Sequence, residues 1–198
     1  MTRLIWLRHA PTHARAMIGW TDHPADLSDH AALARLATAL PVGAVWISSD
    51  LSRASATVEA LFAARPALAG DTRLPPDPRL REINFGLWEG RSHAEVEATE
   101  PARLRAFWQQ AGPVRAPGGE SWDDLCARVA AATDALLATG PGQTVVIVAH
   151  FGPILAALQR ALGVDVQTVF AHQIEPLSLT ETTRAGGRWQ VGRINYRP

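Results

Sequence analysis

Thr144-Val145-Val146-Ile147-Val148-Ala149-His150-Phe151-Gly152-Pro153 is the stretch that decides the fold. Thr144–Ala149 shows no polar alternation, so it reads as a strand covered on both faces; a half-exposed strand would alternate apolar and polar side chains. His150 follows directly. Gly152-Pro153 then starts a helix that runs to Gly163, with proline at an early position where its missing N–H is tolerated. A buried strand passing straight into a helix is the repeating unit of an α/β sheet.

The same unit recurs toward the N-terminus. Leu4-Ile5-Trp6-Leu7 reads as a buried strand ending in Arg8-His9, and Ala44-Val45-Trp46-Ile47 as a second one ending in Ser48-Ser49. Between them, Ser28 or Asp29 can cap a helix with Leu33, Leu36, Ala37 and Leu40 on its apolar face, stopped by Pro41 and Gly43. Ser52 opens a helix with Val58, Leu61 and Phe62 on one face. Residues 66–120 are less regular and predict one helix over Pro101–Gln110. Ser121 caps a further helix with Asp123 and Asp124 in its first turn, where acidic groups suit the helix dipole. Leu125, Val129, Ala132 and Leu136 form its stripe, and Gly140-Pro141-Gly142 ends it. Leu177–Glu181 and Trp189–Asn195 read as a last pair of strands around Ala185-Gly186-Gly187. With no repeat and no linker, residues 1–198 are expected to form a single α/β domain.

Bulk properties narrow the function classes. The 198 residues are 47% hydrophobic and carry a formal net charge of zero, which disfavours a broadly cationic nucleic-acid binder and leaves room for a local basic pocket. Cys126 is the only cysteine, so no intramolecular disulfide forms, and a small packed side chain is its simplest role. No apolar run approaches the roughly 20 residues of a spanning helix, and the N-terminus is too short in apolar residues for a signal peptide. The expectation is a cytoplasmic protein with no membrane partner.

Arg8 and His9 follow the first strand, Ser48, Ser49 and Arg53 follow the second, and His150 follows the long buried strand. If these strands are parallel neighbours, the two histidines and two arginines converge in the crevice beyond the strands' carboxyl ends, where open sheets bind ligands. Two guanidinium groups beside two imidazoles suit a phosphate. A histidine can attack phosphorus, arginines can hold the equatorial oxygens, and a carboxylic acid can protonate the leaving oxygen. Glu82 and Glu89 are the candidate acids. Each residue alone has a plainer reading: a strand-end histidine is more often structural, and Arg53 could be a solvated helix residue. His9 and His13 stand four apart, but the strand end and Pro11 remove the helical spacing a shared metal needs, so no metal and no cofactor are expected. Gly118-Gly119 lacks a following P-loop lysine, and the chain contains no lysine, so a turn accounts for it.

Taken together these residues resemble the histidine phosphatase superfamily, which includes the cofactor-dependent phosphoglycerate mutases. Trp6-Leu7-Arg8-His9-Ala10, followed by Pro11-Thr12, is similar to the family's opening, and Gly19-Trp20-Thr21-Asp22 to its next loop. Ser48-Ser49-Asp50-Leu51-Ser52-Arg53-Ala54, Leu80–Gly90, Pro117–Ser121 with Arg128-Val129, and Val148-Ala149-His150-Phe151-Gly152 follow in the family's order, over roughly residues 3–163. The resemblance implies a three-layer sandwich: a mostly parallel central sheet, one antiparallel edge strand and helices on both faces. It implies His9 as nucleophile, Arg8, Arg53 and His150 completing the phosphate pocket, and Glu82, from its place in Leu80-Arg81-Glu82, as proton donor in preference to Glu89. Thr12, Arg15, Gly19, Trp20, Thr21 and Phe151 form the expected substrate-binding set.

Three positions depart from the family. Ala10 stands for a glycine, Arg15 for a phosphate-contacting asparagine, and Phe151 for a small residue. Arg15 could meet an anionic substrate or point to solvent, and Phe151 could stack on a ring or pack in the core. The expected activity is a metal-independent phosphomonoesterase on a small phosphorylated metabolite, and the Arg-His-Ala-Pro-Thr opening and compact length look like the branch that includes α-ribazole phosphatases. A phosphoglycerate mutase is the first alternative, disfavoured because residues 92–116 offer only Arg103, Arg105 and Arg115 as cations. A non-catalytic phosphate-binding protein is the second. A homodimer is compatible with this reading.

Overall fold

The computed structural model describes residues 1–140 and 142–198. The chain runs β1 (Thr2–Arg8), α1 (His30–Ala39), β2 (Val45–Ser48), α2 (Ser52–Ala64), β3 (Thr72–Arg73), α3 (His93–Thr99), α4 (Pro101–Gln109), α5 (Trp122–Ala138), β4 (Thr144–Ala149), α6 (Phe151–Leu162), α7 (Val166–Phe170), β5 (Leu179–Ala185) and β6 (Arg188–Val191). The strands form one sheet in the order β3-β2-β4-β1-β5-β6. β1, β2, β3 and β4 are mutually parallel, whereas β5 runs against β1. The edge outside β5 is β6, paired antiparallel to it, so the sheet is mostly parallel with its antiparallel pairing at this edge.

Both faces of the sheet are covered, which is why its central strands lack polar alternation. Leu4, Trp6, Val145, Ile147 and Ala149 point into a core shared with α5 and α6. Their neighbours Ile5, Leu7, Val146 and Val148 point the other way, into a core with Leu33 and Leu36 of α1 and Val58 and Leu61 of α2. The helix ends follow the expected chemistry. Asp29 is the cap of α1, accepting from Ala32 N at 2.9 Å. Ser121 and Asp124 form a reciprocal capping box on α5, and Gly163 closes α6 in the left-handed conformation. Pro141, one of the expected stops after α5, lies outside the described residues.

The last strands sit elsewhere than their apolar residues suggest. β5 begins two residues later than expected and runs on to Ala185, and β6 starts at Arg188. Gly186 and Gly187, both at positive φ, form the two-residue turn between them, so the hairpin is laid out around these two glycines.

The topology places the site. Arg8 is in register with Ala149 across β1 and β4, and Ser48 with Val148 across β2 and β4. His9 and Ser49 continue the pattern by donating their backbone N–H groups to Ala149 O and Val148 O at 3.0 and 2.9 Å. The three strands therefore end together, with His9 and His150 side by side.

Candidate functional site

His9 and His150 meet edge to face, with ring centroids 4.9 Å apart, and both are buried. Their partners fix their tautomers. His9 Nδ1 is 2.6 Å from the carbonyl of Ala10, which can only accept, so the proton sits on Nδ1 and the Nε2 lone pair is left unprotonated. His150 Nδ1 receives the Nε–H of Arg53 at 3.2 Å, so its own proton sits on Nε2. Burial first, and then the cations Arg53 and Arg8, push the His9 pKa down to about 3, against the pull of the Ala10 carbonyl. Burial, His9 and the surrounding arginines also hold His150 well below the ordinary histidine value. Both rings are neutral at physiological pH.

Arg53 is 1% exposed and each of its three guanidinium nitrogens donates a hydrogen bond. Besides His150, it donates to Thr21 O at 3.0 Å and to Gly19 O at 2.7 Å. α2 brings it there: Asp22 accepts from Ser52 N and Oγ at the helix start, and Thr57 links Arg53 O to Ala10 N. Arg8 donates from Nη1 to Ile174 O at 2.5 Å, while its Nε has no partner. Among the described residues, Arg8 Nε and His150 Nε2 are two of four buried side-chain polar atoms without a partner, the others being Trp108 Nε1 and Ser178 Oγ; such atoms are uncommon, since buried polar atoms are nearly always paired.

Glu82 lies across the cluster. Its Oε1 accepts from Gly152 N at 3.0 Å and from Ile83 N at 2.9 Å. Burial raises its pKa above the ordinary carboxyl value, although Arg8, Arg53 and the two amides oppose the rise, so its carboxyl keeps a proton to higher pH than a free one. Gly152 allows this approach: a Cβ there would stand 2.3 Å from Glu82 Oε1. Arg128 anchors the backbone on either side, donating to the carbonyls of Arg79, Arg81 and Glu82 and pairing with Glu120.

Glu89 is occupied by other work. Its carboxylate accepts from Trp20 N at 2.7 Å, Thr21 N at 2.5 Å, Phe85 N at 3.2 Å and the Thr21 hydroxyl. It therefore holds the loop whose carbonyls hold Arg53. Gly19 fits because a Cβ would fall 2.0 Å from Ile83 O. Trp20 adds a bond from Nε1 to Glu82 O at 2.9 Å and lies under the Arg81 guanidinium.

The structure brings together Arg8, His9, Arg53, Glu82, His150 and Phe151, the last with the Arg8 guanidinium carbon 5.5 Å from its ring centre. Gly19, Trp20 and Thr21 join the cluster through backbone groups and the Trp20 indole. Thr12 is half-buried, Arg15 is exposed, and no hydrogen bond ties either to the cluster among the described residues. His13 pairs with Asp26 at 3.2 Å. Ala10 is not among the residues at positive φ, so its methyl replaces the family glycine without backbone strain. Sequence reasoning missed the clamping by Glu89, Thr57 and the Arg128–Glu120 pair. The acidic residue at the end of Gly86-Leu87-Trp88-Glu89 was visible only as a second candidate acid.

Residues 4–197 match the histidine phosphatase superfamily (branch 1). A protein of Mycobacterium tuberculosis named as bifunctional is 34% identical over 192 residues, 90% of this chain and 49% of that protein, so the chain spans about half the length of this relative. Glucosyl-3-phosphoglycerate phosphatase of Mycolicibacterium vanbaalenii is 36% identical over 183 residues, covering 83% of this chain and 76% of that enzyme. The solved structure of Bacillus stearothermophilus YhfR superimposes with a TM-score of 0.85 at 28% identity, over 98% of this chain and 97% of that one.

Proposed function

Because the chain belongs to the histidine phosphatase superfamily, branch 1, we propose that it is a phosphomonoesterase working through a phosphohistidine at His9. The observation that carries the reading is the pair of unpartnered buried donors, Arg8 Nε and His150 Nε2, beside a histidine whose Nε2 is free of its proton. A phosphoryl group supplies the acceptors that these donors lack, and Arg8 stays charged at any working pH.

In the first step, Nε2 of His9 attacks phosphorus while the bond to the alcohol oxygen breaks. The donors stabilise the charge spread over the equatorial oxygens, and the protonated carboxyl of Glu82 gives its proton to the departing alcohol. In the second step, water attacks the phosphohistidine, the Glu82 carboxylate takes its proton, and inorganic phosphate and neutral His9 are regenerated. Glu82 fits the acid role because its pKa is raised and its carboxyl faces Gly152 next to His150; Glu89 is spent on the 19–21 loop.

On substrate, the Arg-His-Ala-Pro-Thr opening favours α-ribazole phosphate, while the named phosphatase relative brings glucosyl-3-phosphoglycerate. Phosphate release from a panel holding both, with sugar phosphates, nucleotides and 3-phosphoglycerate, tests the reading. Release of inorganic phosphate supports it. Isomerisation of phosphoglycerate without release would replace it with a mutase, and neither activity would replace it with a binding protein.

A further inference from the structure

We infer that Asn195 is a positioning residue for Arg8, acting through the one peptide group that joins Ile174 to Glu175; this rests on the phosphomonoesterase reading above. The carbonyl of that peptide, Ile174 O, accepts from Arg8 Nη1 at 2.5 Å. Its N–H, on Glu175, donates to Asn195 Oδ1 at 2.6 Å. In a planar trans peptide the N–H and C=O point in opposite directions, so a bond at one end aims the other. Asn195 therefore sets, from the far side of the peptide, the direction of the carbonyl that holds Arg8.

Backbone strain gathers at the same place. Among the described residues, Leu177 and Asn195 are the two non-glycine residues at positive φ, at 59° and 54°. Leu177 is third in the turn Glu175–Ser178, which Ser178 N closes by donating to Glu175 O at 3.2 Å, with Pro176 second. A turn of this form favours glycine or asparagine in third place. Leucine is kept there by burial among Leu33 and Leu36 and by its N–H, which donates to Arg8 O at 3.0 Å. Arg8 N donates in turn to Ser178 O at 3.2 Å. The 174–178 segment thus grips Arg8 by backbone and side chain at once. Strained residues persist where their surroundings over-determine them, and they cluster at functional sites.

Asparagine enters the left-handed region more readily than other residues with a side chain, and here its backbone is pinned. Asn195 N donates to Thr180 Oγ1 at 3.2 Å, and Tyr196 and Leu179 next to them exchange backbone bonds of 2.8 and 2.9 Å. β5, which pairs with β1, thereby delivers the Asn195 amide to the peptide that meets Arg8 at the end of β1. With Nη1 held by Ile174 O, the partnerless Arg8 Nε is left for a phosphoryl oxygen. A peptide free to rotate would release Nη1, and the guanidinium would lose its aim.

The test measures kcat/KM for p-nitrophenyl phosphate and the inhibition constant of inorganic phosphate in Asn195→Gly and Asn195→Asp. Glycine keeps the positive φ and removes the acceptor, whereas aspartate keeps both. Asn195→Gly is expected to raise the phosphate constant and lower kcat/KM, each by about tenfold, the size of one weakened charged hydrogen bond. The fall in activity toward alkaline pH set by Glu82 should stay where it is. Asn195→Asp is expected to restore most of both values. Thr180→Val, which removes the acceptor of Asn195 N, should move the phosphate constant in the same direction, and its result decides the matter if Asn195→Gly does not fold. Wild-type constants in the folded Asn195→Gly protein, or equal losses in both Asn195 variants, overturn this inference and leave the phosphomonoesterase reading standing. So do wild-type constants in Thr180→Val where it is the deciding variant. No phosphate release by folded wild-type protein from any ester tested overturns that reading and this inference with it.

Discussion

Arg53 donates its Nε–H to Nδ1 of His150 over 3.2 Å, and a guanidinium has no acceptor, so this one bond sets which nitrogen of His150 carries the proton. It also closes a chain of dependence. Glu89 holds the 19–21 loop, the carbonyls of Gly19 and Thr21 hold Arg53, and Arg53 orients His150.

Arg53→Lys should break this chain while keeping the charge. An ammonium is a compact group that cannot span three acceptors set by a planar fork. The expected result is a loss of about two orders of magnitude in kcat/KM and a destabilisation of about 2 kcal/mol from buried carbonyls left unpaired. Steady-state kinetics and urea unfolding on the same sample measure both. Near-wild-type turnover would show that the fork geometry is dispensable.

Glu82→Gln should hurt esters of poorly acidic alcohols most, by about 10²–10⁴-fold, because they need the proton. The fall in activity toward alkaline pH, set by the raised pKa of Glu82, should vanish in the variant. Gly152→Ala should reproduce the first effect in weaker form by displacing the same carboxyl. An equal loss across alcohols of widely different acidity would remove Glu82 from the acid role.

Glu89→Gln should act differently. The amide nitrogen cannot accept from the Trp20 or Thr21 amides, so the loop loosens and Arg53 with it. A drop of about tenfold in kcat/KM is expected, uniform across leaving groups, with the alkaline limb kept. Loss of that limb in Glu89→Gln would instead make Glu89 the acid.

Stability should fall on acidification. The His9 pKa is about 3 in the folded protein against an ordinary 6.5, so the unfolded chain binds more protons throughout that window. The contribution is fully present above the unfolded value and is lost as pH falls through the window toward the folded one. His150 adds the same sign, while Glu82, shifted upward, opposes it by favouring the folded state on the acid side. Between pH 7 and 5 the His9 share is about 2 kcal/mol. The urea midpoint should drop over this range, and His9→Gln should flatten the drop. Parallel slopes in the two proteins would contradict the buried neutral His9.

Much of this was legible in the sequence, for definite reasons. β1 and β4 stand out because strands covered on both faces have no polar positions, and the parallel β2-β4-β1 order then carries Arg8, His9, Arg53 and His150 to one edge. α3 went unread although Ser92-His93-Ala94-Glu95 caps it with a full capping box, because one buried residue, Val96, gives no stripe to see. β3 is two residues long and β5 and β6 are arranged by their turn, so apolar runs located these poorly. In the site, the groups that hold Arg53 are backbone carbonyls, which every residue has and no motif reveals. Phe85, Phe107, Trp108, Trp122, Phe151 and Phe170 pack together from five segments, and only the fold brings them together.

The most direct measurement traps the intermediate. Folded protein mixed with a phosphomonoester is quenched in alkali, where phosphohistidine survives, and digested for mass spectrometry. A phosphoryl group is expected on the peptide containing His9 during turnover, with neither adduct nor turnover in folded His9→Ala. Turnover by His9→Ala, or a phosphoryl group carried on another residue, would contradict the phosphohistidine at His9.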